Sequence, residues 1–258
     1  MIVLVVYALV RSTHPLPERL TGIGKPAGQV RLVGAERVAA VVSQIGDQAL
    51  HDDDAIGYLD VLQALIENGP VLPIRFGTLA PDDDAVRTEI LAPLGEQGAS
   101  RLDQLDGLVE MQLKLIADQD AELRDLLASS PPLRRLVGQV KAGAADVSVH
   151  ISVGEQVTQG LAERRAALDA QVAGRLKPLA LDHGSRTGDD VTVLTQYYLV
   201  RVDDLERFDA AVQELLEDLG DRYTPEYVGP LPPLDFADAE NDLTQTPSSE
   251  TTPSRWGW

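Results

Sequence analysis

The 258-residue chain has no cysteine, which rules out a disulfide scaffold, a thiolate zinc site and a cysteine nucleophile together. Histidine is scarce too. His14, His51, His150 and His183 fall in separate stretches, no two at the i,i+4 spacing of a helical zinc pair. Cationic side chains are outnumbered, 22 against 41 acidic, for a formal charge of -19. That charge opposes docking on nucleic acid or anionic lipid over most of the surface and leaves a basic or strongly apolar partner compatible. Long apolar runs are missing as well. The longest, residues 1–10, lacks a cationic start and stops at Arg11, short of the ~20 residues of a membrane span. It reads as a buried strand, and the protein is expected to be soluble and cytoplasmic, with no lipid membrane or nucleic acid among its partners.

What is present points to two domains, each large enough to bury its own core. Residues 1–10 carry no polar alternation, as suits a central strand covered on both faces. A Pro/Gly-rich loop over residues 11–28 follows, then a strand pair at 30–33 and 38–42. Asp52, Asp53 and Asp54 precede a helix whose apolar face is expected from Ile56, Leu59, Leu62 and Ile66. Gly69 and Pro70 end it, residues 71–78 read as another strand, and a second helix runs from Pro81 to about Leu94. Val109, Met111, Leu113 and Leu115 alternate with polar residues as in a half-buried antiparallel strand. The order predicts a ferredoxin-like α+β sheet with helices on one face over residues 1–118.

Residues 119–145 read as a helical connector broken at Ser129-Ser130-Pro131-Pro132. The second α+β domain, residues 146–236, is expected to open with a strand at 147–153 and continue with a long amphipathic helix at 156–177. A polar turn at 182–190, a strong strand at 191–200, a helix ended by Gly220 and a returning strand at 223–228 complete it. Residues 237–258 are acidic, then rich in Ser, Thr and Pro, and are expected to be disordered.

No catalytic constellation emerges. His51 beside three aspartates reads as a cation ligand or as a solvated helix start. The Gly22-Ile23-Gly24-Lys25-Pro26 turn resembles a phosphate loop only in its spacing, because Pro26 stands where a hydroxyl is needed. His183 and Ser185 read as a surface turn. No cofactor and no metal are expected, and the chain is not expected to be an enzyme. The most constrained stretch is Val71-Leu72-Pro73-Ile74-Arg75-Phe76-Gly77-Thr78. Arg75 among apolar neighbours either makes an internal ion pair or carbonyl clamp, or brings its charge to the surface as an anchor for a partner. The former predicts that Arg75→Ala costs stability. Leu72, Pro73, Arg75, Phe76 and Gly77 therefore form the candidate structural and interface motif. Trp256 and Trp258, the only tryptophans, stand in the tail as a disordered end or a docking peptide.

The motif resembles the "VLPxRFGT" segment of the gas vesicle protein F/L family. Further blocks lie in family order: Tyr7-Ala8-Leu9, residues 38–43, "LDGLVEMQLK" from Leu105 and "YYLVRVDDLERFDAAV" from Tyr197. Tyr58 stands where the family often has His. The family's "VEW" is Val109-Glu110-Met111, and its "GPWPPYSF" pattern is Gly229-Pro230-Leu231-Pro232-Pro233-Leu234-Asp235-Phe236. The resemblance implies a two-domain α+β fold, the second domain a modified ferredoxin-like one, and an accessory role in gas vesicle formation without catalysis or cofactor. It also implies partnership with the hydrophobic main shell protein and other accessory vesicle proteins, as assembly factor or minor component.

Overall fold

The computed structural model describes residues 3–34, 36–46, 50–143, 146–186 and 192–237. Two antiparallel sheets form an α+β protein. The first contains β1 (Val3–Arg11), β2 (Arg31–Gly34), β3 (Val38–Ile45), β4 (Val71–Pro73) and β5 (Leu79–Ala80). Its order is β2-β3-β1-β4, with β5 also on β1. Because β1 and β3 are apolar on both sides, each face of this sheet needs a cover. Helix α1 (Asp54–Ile66) buries Tyr58, Val61, Leu62 and Leu65 against Val5, Tyr7 and Val10. The opposite face packs Leu4, Val6 and Leu9 on Val86, Leu91, Ala99 and Leu102. The helices thus divide between the faces instead of sharing one.

Two helices differ from the periodicity. Ile56 and Leu59 of α1, expected inside, are 69% and 44% exposed. The helix is rotated so that Tyr58 turns inward with Val61, Leu62 and Leu65, its ring packed between Tyr7 and Phe76 and its hydroxyl reaching the carbonyls of Tyr7 and Ile74. The second helix continues past Leu94: α2 (Asp83–Ala85) leads through a π turn (Val86–Leu91) into α3 (Ala92–Gln104). Ala92 donates to the Arg87 carbonyl across this wider turn. The turn lets the helix pass Pro93, which lacks an N–H and crowds the preceding turn of a regular helix.

The second sheet has the order β7-β8-β6-β9, built from β6 (Leu108–Ala117), β7 (Asp182–Arg186), β8 (Thr192–Arg201) and β9 (Tyr223–Leu231). Strand β6, grouped by sequence with the first sheet, pairs with β8 and β9 instead. The strand expected at 147–153 is absent. Those residues open α6 (Val147–Leu176), a 30-residue helix whose N-cap Asp146 accepts from the Val149 N–H. The β-like alternation there leaves Val147 76% and Ile151 56% exposed on the helix. Between β6 and α6 lie α4 (Gln119–Ser129) and α5 (Pro131–Lys141), separated at Ser130 as expected. Helix α7 (Leu205–Leu219) ends at Gly220 with φ +60°. Leu168, Val172 and Leu176 of α6 and Phe208, Val212 and Leu215 of α7 share one core with Leu113, Leu115 and Tyr198. Strand order and helix placement are ferredoxin-like, with β6 supplying the first strand.

Of the expected polar turn at 182–190, Asp182–Arg186 form the edge strand β7. Gly184 there sits opposite Tyr197, whose ring atoms lie 2.3–2.5 Å from where a Cβ would be. Residues 187–190, and the tail with Trp256 and Trp258, lie outside the described residues. No described helix is long and apolar enough to cross a membrane.

Candidate functional site

The 71–78 segment is a strand only over Val71–Pro73. β4 pairs with β1 as far as Ala8↔Pro73, and β5 rejoins at Val5↔Leu79. Between them the chain leaves the sheet in a turn. Gly77 has φ +87°, a conformation that a side chain disfavours. Thr78 closes the turn by donating to the Arg75 carbonyl from its N–H at 3.2 Å and its Oγ1 at 2.8 Å. Ile74 and Val6 anchor it to β1, with Ile74 N–H on the Tyr7 carbonyl at 2.9 Å and Val6 N–H on the Thr78 carbonyl at 3.0 Å.

Three aromatic rings support the turn from below. Phe76 meets Tyr58 edge-on at 5.4 Å, and Tyr58 stacks on Tyr7 at 5.8 Å. Aromatic pairs at these distances stabilise by about 0.5–1.5 kcal/mol beyond their burial. The Tyr7 hydroxyl shares a 2.6 Å hydrogen bond with Ser43 Oγ and accepts from the Ile23 N–H at 2.9 Å. Burial raises the pKa of both tyrosines, so the column stays neutral.

Above this support Arg75 is exposed, and its side chain makes no hydrogen bond or ion pair with a described residue. The internal ion pair or clamp is therefore not formed, and the charge stands at the surface. Arg75→Ala is expected to change stability by less than about 0.5 kcal/mol, the reverse of the sequence expectation. Thermal melting of the variant beside the parent measures it. Phe76 is half-buried, and Leu72 faces the seam between the sheets, with Leu105, Leu108, Tyr197, Leu199 and Phe236. Leu79, just after the motif, is 48% exposed, and Ile56 and Leu59 on the outer side of α1 are uncovered as well.

The loop before β2 has a structural explanation. Gly22 lies so close to Tyr7 and Ser43 that a Cβ would fall 2.3 Å from the tyrosine hydroxyl and 2.0 Å from Ser43 Oγ, and Gly28 presses equally hard on the Gln44 backbone. Ile23 and Val30 join the core beneath α1. The loop is packed onto the sheet, in the place where a ferredoxin-like order has its first helix.

Among the described residues no reaction centre gathers. Among the described residues no three His, Cys, Asp or Glu side chains are placed to hold a metal ion. His14 is buried beside Gly69 with Nε2 unpaired, and burial lowers its pKa, which favours the neutral ring. A groove of about 540 Å³ runs beside Arg164 past Ser129, Gln171 and Tyr223, where Arg164 faces Glu122 at 3.9 Å. It pairs no nucleophile with a base.

Sequence reasoning missed Tyr7, Tyr58 and Ser43 as the support of the motif, and Glu110, Asp235 and Arg101 at the seam. The signal for the first set was a lone hydroxyl in each of two otherwise apolar strands. The second set left no signal, because Glu110 takes a regular polar position in the alternation of β6 and its burial comes from the chain that crosses over it.

The arrangement defines a two-sheet α+β protein with a surface turn held by buried aromatic rings. The chain belongs to the gas vesicle synthesis protein GvpL/GvpF family, whose model matches residues 3–238. It is 33% identical over 236 residues to gas vesicle protein F of a Streptomyces species, covering 90% of this chain and 98% of that one. Gas vesicle protein L2 of Halobacterium salinarum is 26% identical over 260 residues, 90% of each chain. The fold is shared with the crystal structure of GvpF from Anabaena (TM-score 0.77, 20% identity, covering 92% of this chain and 97% of that one). It is also shared with GvpF from Microcystis aeruginosa (TM-score 0.74, 21% identity, 92% and 99%).

Proposed function

We propose that this chain is a non-enzymatic accessory protein that binds the hydrophobic gas vesicle shell protein, and other accessory vesicle proteins, while vesicles assemble. The observation that supports this most is the surface around residues 72–77. Arg75 is unpaired there among the described residues, and Phe76 is held by a buried aromatic column. Ile56, Leu59 and Leu79 add apolar area that the fold leaves uncovered. Arg and aromatic side chains of this kind are enriched where proteins meet. The strong negative charge elsewhere keeps a complex with an apolar partner dispersed. The Gly-rich loop at residues 22–28 is occupied in covering the sheet and does not support a small-ligand module.

Removing this chain from vesicle-forming cells is expected to abolish vesicles; normal vesicle numbers without it would contradict the proposal. A second reading, retention as a minor component, is separated by washing floated vesicles with urea. An assembly factor is lost in the wash, and a built-in component stays.

A further inference from the structure

The last described residues cross the seam between the two sheets and touch both. Leu234 packs on the core beneath α1. Phe236 fills the seam against Leu105 and Leu199, next to Leu72 of the surface motif, and meets Tyr197 edge-on at 5.5 Å. Arg101 of α3 donates to the Phe236 carbonyl at 2.6 Å. From the second sheet Glu110, 1% exposed, accepts the Asp235 N–H at 2.9 Å. The Asp235 side chain, 8% exposed, pairs with Arg186 of β7, which lies 5.6 Å over the Tyr197 ring.

The charges around Glu110 do not balance. Two buried carboxyl groups, Glu110 and Asp235, share the single guanidinium of Arg186. That guanidinium is 62% exposed and already committed to Asp235. Tyr197 also faces the pair, itself near Asp182, and Arg101 is engaged with Phe236. Two adjacent carboxylates in a dry site cannot both ionise without large cost.

We infer that residues 231–236 form a proton-linked clasp: closing over the seam takes a proton onto Glu110, and opening releases it and uncovers the apolar surface beside Leu72. Burial is the main cause that pushes Glu110 up to about 8, the Asp235 charge and hydrogen bond add to it, and the Asp235 N–H and Arg186 oppose it. In the open strap Glu110 returns to an ordinary carboxylate value of about 4.3. The closed state therefore binds more protons between those two values, and opening becomes easier as pH rises through that window and levels off above pH 8. The inference stands apart from shell-protein binding, because it concerns the chain alone.

Hydrogen exchange of the full chain, read on a peptide spanning Asp235 and Phe236 and corrected for intrinsic rate, tests it. Protection is expected to fall at least tenfold from pH 6 to pH 8 and then flatten. In Glu110→Gln the carboxyl cannot ionise, and whatever its baseline that variant is expected to show protection independent of pH. In Asp235→Asn the like charge is gone while burial still acts on Glu110, so a smaller fall than in the parent is expected. Flat protection in the parent, or the parent's fall retained in Glu110→Gln, would overturn the clasp.

Discussion

Replacing Tyr58 by Ala is expected to destabilise the protein by about 3–5 kcal/mol, the usual cost of truncating a buried aromatic. The melting temperature should fall by roughly 10 °C. The size follows from its position. Tyr58 is 4% exposed, is sandwiched between Tyr7 and Phe76, and donates its hydroxyl to two main-chain carbonyls. Its loss removes packing from the core beneath α1 and the support of the motif turn together. Tyr58→Phe separates the two contributions. It keeps the rings and leaves the Ile74 carbonyl without that donor, at a cost of about 1–3 kcal/mol. A Tyr58→Ala protein that melts like the parent would show that the aromatic column does not hold the turn.

The second large effect is expected at Gly22. A methyl there would fall 2.0 Å from Ser43 Oγ, 2.3 Å from the Tyr7 hydroxyl and 2.5 Å from Ser43 Cβ, atoms that sit in buried strands and have little room to give. Gly22→Ala should therefore cost about 3 kcal/mol, at the upper end for overpacking. It should also break the Ile23 N–H bond to Tyr7 that fastens the loop to the sheet. Thermal unfolding checks the stability, and hydrogen exchange at Ile23 checks the loop. Unchanged values for both would mean the loop does not rest on these strands.

Where local pattern settles an element, the sequence was a good guide. The apolar run of β1, the strand pair β2 and β3, the break at Ser130 between α4 and α5, and the Leu205–Leu219 helix ending at Gly220 all stand where expected. What was not legible was decided at long range. The alternation of β6 shows a half-buried strand and cannot say which sheet it joins. Its partners lie far along the chain, in β8 and β9. The β-like alternation from Val147 to Val153 lost to the Asp146 cap and to packing further along α6. The face of α1 is the one that carries Tyr58, whose ring packs between Tyr7 and Phe76 and whose hydroxyl finds acceptors on β1 and after β4.

For the candidate site, sequence placed Leu72, Pro73, Arg75, Phe76 and Gly77 in one constrained segment at a junction. The structure puts Leu72 and Pro73 at the end of β4 and Arg75, Phe76 and Gly77 in the turn that follows. The sequence could not show that Arg75 points outward, because its alternatives depended on whether a carboxylate from elsewhere approached. The seam was hidden for the same reason: Glu110 and Asp235 meet across 125 positions. Trp256 and Trp258 remain a proposed docking peptide.

The proposal that this chain binds the shell protein through the motif surface is tested most directly by co-expressing the two and measuring soluble, co-purifying shell protein. The parent should retain it. A variant carrying Arg75→Ala, Ile56→Ser, Leu59→Ser and Leu79→Ser, whose changes all fall on exposed side chains, should fold and lose it. Equal recovery with parent and variant, or none with the parent, would contradict it.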